Sequence, residues 1–225
     1  MSVDPTTRVG SIYAFRVDDR WIISSYRADT GSFGAKYGMS SDVIFLGSSL
    51  VGNTPLRRDY RFVDAGGNVN LLTVERPSTA YTDVAWLRSQ LVTATTLRET
   101  RQIWGLRTVG YDYPAEGTRR QFEGQVNVSA GPSGTSDIVV PLAFTATYQG
   151  NTGSALAGSF AFTDTDGSQV TVTLDGGVVR NSASYDSQID YGFFGPNATS
   201  FGGVIYFQRG GVVRIGTIVA RARPN

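Results

Sequence analysis

The acidic residues are the first place to look for chemistry in this chain, because it contains no His and no Cys. Those absences exclude His- or Cys-based zinc sites, haem ligation by imidazole or thiolate, Ser-His-Asp triads and cysteine nucleophiles. Asp186 and Asp190 are spaced by four residues and would share one face of a strand. A glycosidase needs two converging carboxylates, but nothing in the sequence marks either aspartate as desolvated. We therefore expect no catalytic residues and no enzymatic activity.

A second acidic segment, DTDGS at 164–168, has some features of a calcium-binding loop. An EF-hand loop needs Gly at position six and Glu at position twelve, whereas Gly167 comes at position four. Asp166-Gly167 is instead typical of a two-residue type I′ turn between two strands. The segment predicts a hairpin, and we expect no metal site and no cofactor. Haem held by Tyr or Met is the alternative, with Tyr26, Tyr37, Tyr111 and Met39 available.

Aromatic side chains in a polar, Gly-rich frame give the first candidate binding surface. The segment 24–42 contains Tyr26, Phe33, Tyr37 and Met39 among glycines, serines and the only lysine. Tyr buries a large area at low entropic cost and keeps a polar group for hydrogen bonding. We interpret the segment as a loop that contacts a partner. The alternative is that some of these side chains pack inside the fold.

Paired arginines give the second candidate. Arg57 and Arg58 precede Asp59 in the segment LVGNTPLRRDY. Guanidinium groups bind carboxylates in a bidentate geometry, so the pair is interpreted as a carboxylate-binding rim. A solvated turn is the alternative.

The composition bounds the fold and the partners. The chain has 225 residues with 27 glycines and a formal net charge of +1. Residues 1–111 carry 13 basic and 10 acidic side chains, and residues 112–225 carry 7 and 9. No basic stripe could follow a phosphate backbone, so we expect no nucleic-acid partner. The N-terminus lacks the pattern of a secretory signal, and no window reaches the ~18 apolar residues of a membrane-spanning helix. An export signal and any lipid anchor are expected to be absent from this chain.

The C-terminal half alternates with period two. Apolar residues fall on one face of each predicted strand, for example Phe122, Val126 and Val128 in the first and Phe160 and Phe162 in the third. About eight such runs, each joined to the next by a Gly, Asn or Asp turn, predict an eight-stranded antiparallel up-and-down β-barrel over 112–225. Its Phe-rich inner faces indicate a filled interior.

Residues 1–111 are less regular and are interpreted as a smaller β-rich region. A hairpin is expected to turn at Ala65-Gly66-Gly67, and the ambiguous stretch 80–109 is predicted to form strands rather than a helix. The fold class is therefore all-β, with a boundary near residue 111.

Two motifs resemble the transferrin-binding protein B β-barrel family of Gram-negative bacteria. The first is FFGPNATSFGGVIYF, with Phe194, Gly195, Pro196 and Asn197 followed by Gly202-Gly203. The second is upstream, and its matching positions are Thr108, Pro114, Gly117, Thr118, Phe122 and Gly124. The resemblance covers about residues 105–225. The family's acidic pair after Asn-Ala is here Thr199-Ser200, a departure that should not disturb the fold.

The backbone preferences of the residues in the first motif indicate a structural role independently of the resemblance. Pro196 and Asn197 favour a reversal, and Gly202-Gly203 permits close backbone approach. The motif is therefore interpreted as structural.

The resemblance implies a surface-exposed binding protein, because family members pair a barrel with a smaller handle and capture host proteins such as iron carriers. Relatives bind haemoglobin, haem or complement regulators. For this chain it implies a handle-like region at 1–111, a protein ligand, a role in iron or haem acquisition, and a cell-surface, outer-membrane lipoprotein or periplasmic location beside an outer-membrane transporter. The alternatives are a small-molecule carrier that uses the barrel mouth, and a structural surface component.

Overall fold

The all-β prediction is confirmed. A computed structural model describes residues 9–16, 21–27, 32–37, 43–45, 47–76, 78, 84–92, 97–129, 137–149, 153–176, 178–181, 187–209 and 212–224. Within these ranges the chain forms seventeen strands, three 3₁₀ turns and no α-helix. No described segment forms a helix of the length and apolarity needed to cross a membrane.

The first nine strands form two sheets. A six-stranded sheet has the order β1-β9-β8-β7-β6-β5, and a three-stranded sheet has the order β2-β3-β4. The strand bounds are β1 Val9–Arg16, β2 Trp21–Arg27, β3 Ser32–Tyr37, β4 Val43–Phe45, β5 Leu50–Asn53, β6 Arg57–Val63, β7 Val69–Glu75, β8 Val84–Val92 and β9 Leu97–Leu106. The strand prediction for 80–109 is thus confirmed by β8 and β9.

The remaining strands form one large antiparallel sheet with the order β14-β13-β12-β11-β10-β17-β16-β15. Their bounds are β10 Arg119–Ser129, β11 Asp137–Gln149, β12 Gly153–Thr163, β13 Gln169–Asp175, β14 Val178–Asn181, β15 Ser187–Phe194, β16 Ser200–Arg209 and β17 Val212–Ala222. The change from one sheet to the other falls between Leu106 and Arg119, while the predicted boundary at residue 111 stays a prediction.

The large sheet is strongly curled. Phe162 on β12 and Phe207 on β16 have ring centroids 6.2 Å apart, although four strand spacings separate them in the sheet order. In a flat sheet four spacings would span about 19 Å. The edge strands β14 and β15 also approach within 8 Å between Cα atoms. No ladder joins them among the described residues.

Aromatic rings fill the concave side of the large sheet. Phe122 stacks on Phe144 with centroids 5.2 Å apart, and Phe144 contacts Phe201 at 4.8 Å. All three side chains are buried, as are Phe160 and Phe162. The predicted inward faces are therefore confirmed, because strict period-two alternation places every second side chain on the core side.

The turns after β6 and β12 are one residue longer than a type I′ turn. In the second, Asp164 N donates to Ser168 O at 2.8 Å and Gly167 has a φ of +82°. This is a three-residue loop whose last residue is left-handed, a common hairpin connection. The hairpin was correctly predicted, but the two-residue type I′ turn was wrong. Gly67, with a φ of +77°, occupies the equivalent place in the hairpin predicted at 65–67.

The two sheets pack together through a small apolar cluster. Val84 and Ile103 of the six-stranded sheet contact a set of large-sheet residues on the convex side, namely Phe194, Val204, Ile215 and Val219. A bidentate ion pair borders this contact, since Arg101 Nη1 donates to Asp137 Oδ2 at 2.9 Å and Nη2 binds Oδ1. The six-stranded sheet is therefore held against the large sheet by apolar packing and by a buried cation.

Candidate functional site

The β5–β6 turn positions the predicted arginines. Thr54 N donates to Arg57 O at 2.8 Å, and Arg57 N donates to Thr54 Oγ1 at 3.0 Å. These two bonds close a tight turn over Pro55-Leu56. A groove of about 500 Å³ opens beside it, and its lining includes Arg57, Arg58 and a third arginine, Arg76. We call it the turn groove.

Arg57 is already engaged within the protein. Its Nε donates to both oxygens of Asp59, at 3.0 and 2.9 Å, and Nη1 lies 4.0 Å from Glu75 Oε2. The hydrogen bond to Asp59 raises the pKa of Arg57. Burial raises the pKa of Asp59, but hydrogen bonds from Arg57 and Thr73 outweigh it, so this pKa lies below its ordinary value. Arg57 therefore stabilises the turn through its internal ion pairs and is not a free cation for a ligand.

Arg58 and Arg76 are the available charges of the turn groove. Both are exposed, and neither forms an ion pair with any residue in the described part of the chain. Arg58 lies opposite Val74 in the β6–β7 ladder. Arg76 is tied to the turn by its backbone, since Arg76 N donates to Leu56 O at 2.9 Å. Two guanidinium groups thus face one groove without a carboxylate of their own.

Arg76 was not predicted from the sequence, although a signal existed. The expected hairpin at 65–67 pairs Arg57 with Glu75, which places Arg76 beside the β5–β6 turn. Extending the predicted hairpin register along both strands would have found it.

The predicted aromatic loop at 24–42 is not an irregular loop. Strands β2 and β3 occupy most of it, with Tyr26 opposite Phe33 and Trp21 opposite Tyr37. The loop prediction was wrong, because the segment also contains short runs of strand-forming residues beside its turn residues. The side chains of Tyr26, Phe33 and Tyr37, and the whole of Met39, lie outside the described residues. Their contact role stays a prediction.

The two motifs meet where the chain passes from one sheet to the other. Thr108 N donates to Phe193 O at 2.9 Å, and Thr108 Oγ1 donates to Gly195 O at 2.8 Å. The segment around Pro114 leads to Gly117, which has a φ of +80° and donates its N–H to Tyr148 O. Gly202-Gly203 follows on β16. The structure thus brings Thr108, Gly195 and Gly202 to one junction.

The carbonyls of residues 195–199 each accept a hydrogen bond. Asn197 and Ala198 have φ values of +56° and +54°, a left-handed conformation that is unfavourable for Ala. The donors are, in order, Thr108 Oγ1, Thr199 Oγ1, Arg120 Nη1, Tyr148 Oη and Ala222 N. Burial raises the pKa of Tyr148 to about 12, so its hydroxyl remains a donor at neutral pH. The motif segment is therefore fixed by its surroundings.

The acidic candidates have different surroundings. Asp164 binds Arg214 through Arg214 Nη2 at 2.5 Å, so its carboxylate serves a buried ion pair. Burial raises the pKa of Asp190, a desolvation that the sequence did not reveal. Asp186 lies outside the described residues. Within the described ranges no group of three or more His, Cys, Asp or Glu could hold a metal ion.

Comparisons with known proteins found matches among solved structures at low sequence identity. No protein-family model matches the chain, and no curated protein matches it. Among solved structures, a double mutant of transferrin-binding protein B from Haemophilus parasuis is 13% identical with a TM-score of 0.49, covering 86% of this chain and 48% of its own. Isotype 1 transferrin-binding protein B from serogroup B Neisseria meningitidis is 10% identical with a TM-score of 0.48, covering 96% and 43%. The chain spans about half the length of these proteins.

Proposed function

We propose that this chain is a non-enzymatic binding protein that captures a protein ligand with exposed parts of its six-stranded sheet. The observation that carries the proposal is the turn groove, where Arg58 and Arg76 face about 500 Å³ of open space. Unpaired guanidinium groups at a surface favour carboxylates of a partner and speed its association. The ligand is therefore expected to present an acidic segment.

The interior of the large sheet supports recognition on the outside of the molecule. Tyr148 and Phe193, from strands four apart in the sheet order, have ring centroids 5.1 Å apart across the core. Side chains that meet across the sheet occupy the volume that a lipocalin-like carrier would leave for its ligand. The carrier alternative is accordingly disfavoured. We further propose that the large sheet closes into an eight-stranded barrel and that the protein holds no resident cofactor.

The cellular setting follows from the sequence resemblance alone. We propose a cell-surface or periplasmic protein of a Gram-negative bacterium, acting in iron or haem acquisition beside an outer-membrane transporter. Lipid anchoring belongs to the same proposal.

The test is surface plasmon resonance with the full chain immobilised and apo-transferrin, iron-loaded transferrin, haemoglobin and serum albumin as probes. We expect one iron- or haem-carrying probe to bind and albumin not to bind. The double variant Arg58→Gln/Arg76→Gln is expected to weaken that binding about tenfold and to reduce its salt dependence.

A matched control variant removes the same number of positive charges from outside the turn groove. Arg61→Gln/Arg119→Gln removes two exposed arginines outside the turn groove and should leave binding unchanged. Failure of every probe to bind would contradict the proposed ligand class. Binding that is insensitive to Arg58→Gln/Arg76→Gln would instead exclude the turn groove as the contact.

A further inference from the structure

A second arginine-lined groove lies at the corner where the first and last strands of the large sheet meet. It has a volume of about 430 Å³, and three arginines line it together with the motif residues Asn197 and Thr199. The arginines are Arg120 at the start of β10, Arg221 near the end of β17, and Arg223 just beyond it. We call it the corner groove. The proposed protein capture at the turn groove does not use it.

Two of these arginines are held in place by the protein. Arg120 Nη1 donates to Asn197 O, and its guanidinium carbon lies 5.9 Å from the centroid of the Tyr148 ring. Neither contact neutralises its charge. Arg223 Nη2 binds Glu123 Oε1, and Nη1 donates to Gln121 Oε1 at 3.2 Å. The cations at both sides of the groove are therefore oriented before any ligand arrives.

The third arginine is left without a counter-charge. Arg221 lies directly opposite Glu123 in the β10–β17 ladder, a position in which a cross-strand ion pair would be expected. Glu123 instead binds Arg223. The Arg221 side chain forms no hydrogen bond or ion pair with any residue that the structure describes. The described lining of the groove thus holds three guanidinium groups and no carboxylate, and Glu123 pairs with Arg223 alone among them. The mutual repulsion of these cations favours an added anion.

The number and geometry of the donors select the class of anion. A planar carboxylate is satisfied by one bidentate arginine, whereas a tetrahedral oxyanion offers oxygens to several guanidinium groups at once. We propose that the corner groove binds a phosphate group, either as free phosphate or as the phosphate of a lipid headgroup. Arg120 and Arg223 position the anion, and Arg221 closes on it.

Isothermal titration calorimetry with inorganic phosphate, using the full chain at constant ionic strength, tests the proposal. We expect saturable binding that Arg221→Gln weakens roughly tenfold, the loss of one charge-assisted hydrogen bond. Arg119→Gln removes a neighbouring exposed arginine that does not line the groove, and it should leave the affinity unchanged. Absence of saturable binding, or an equal loss in both variants, would overturn the proposal.

A second experiment with lipid vesicles distinguishes free phosphate from the phosphate of a lipid headgroup. Flotation with vesicles of phosphatidylcholine containing phosphatidylglycerol is compared with flotation with phosphatidylcholine alone. Binding to the anionic vesicles that Arg221→Gln reduces and inorganic phosphate competes away supports the lipid source. Calorimetric binding without flotation supports free phosphate. Flotation equal for the wild type and Arg221→Gln would count against the groove.

Discussion

The pKa of Asp190 reflects the packing of the six-stranded sheet against the large sheet. It lies opposite Val204 in the β15–β16 ladder, and directly opposed residues share a face of the sheet. Val204 packs against Val84 and Ile103, which places Asp190 beside that contact. Burial raises its pKa, because removing water disfavours the charged carboxylate.

This shift predicts a pH dependence with a definite sign. A carboxyl whose pKa is higher in the folded state binds more protons there, so stability falls as the pH rises from the unfolded to the folded pKa. Asp190→Asn should therefore raise the thermal unfolding midpoint at about pH 7 and leave it nearly unchanged at about pH 3. Asp175→Asn, a change of an exposed aspartate, is the control. A lower midpoint for Asp190→Asn at neutral pH would contradict the assignment.

At the scale of single residues, the sequence predicts local backbone conformation but not the tertiary environment of a side chain. The Pro196-Asn197 reversal could be predicted, since its conformation depends on local backbone preferences. The bond from Tyr148 to Ala198 could not, because the partners are 50 residues apart. The burial of Asp190 likewise depends on a sheet that packs from elsewhere in the chain.

At the scale of the elements, Gly202 and Gly203 are neighbours in one motif but have different surroundings. A Cβ at Gly202 would lie 2.4 Å from Ile103 Cγ2 and 2.8 Å from Phe194 Cε2, inside the contact between the sheets. A Cβ at Gly203 would lie 3.3 Å from its nearest neighbours, Phe201 and Tyr191. The sequence predicted close approach at this pair without indicating which glycine makes it.

The pair gives a matched substitution test. Gly202→Ala should destabilise the protein by about 1–3 kcal/mol, because the neighbouring packing must shift. Gly203→Ala should have a clearly smaller effect. Chemical denaturation of both variants measures the difference, and equal losses would indicate that the six-stranded sheet does not pack on Gly202.

The ion pair between Arg101 and Asp137 joins β9 to β11 beside this contact. The Arg101 side chain is 2% exposed and that of Asp137 is 14% exposed. Removing one partner of a buried pair leaves a charge without compensation, whereas replacing both with apolar residues is often tolerated.

Asp137→Asn is therefore expected to cost about 3 kcal/mol of unfolding free energy. Arg101→Met/Asp137→Leu should recover most of that loss. Denaturant unfolding of the two variants provides the comparison. A double variant no more stable than Asp137→Asn would show that other contacts of Arg101 determine its contribution.

At the scale of the whole molecule, the sequence predicted the class of fold and the buried faces of the large sheet. Period-two alternation is a local signal, and it identified Phe122, Phe160 and Phe162 as core residues. The loop prediction for 24–42 was wrong because glycines and serines occur in strands as well as in loops. The turn groove was predicted in part, since Arg57 and Arg58 are adjacent in sequence whereas Arg76 joins them only through strand register.

The order of strands in the large sheet has a consequence for biosynthesis. Its earliest strand, β10, pairs along one side with the last strand described, β17, and Glu123 binds a residue 100 positions further along the chain. Such distant partners close slowly. While translation continues, β10 presents an unpaired edge to other nascent chains. The large sheet can be completed only after β17 has been synthesised. Until then the unpaired edge of β10 has to be protected from other chains by factors outside this protein.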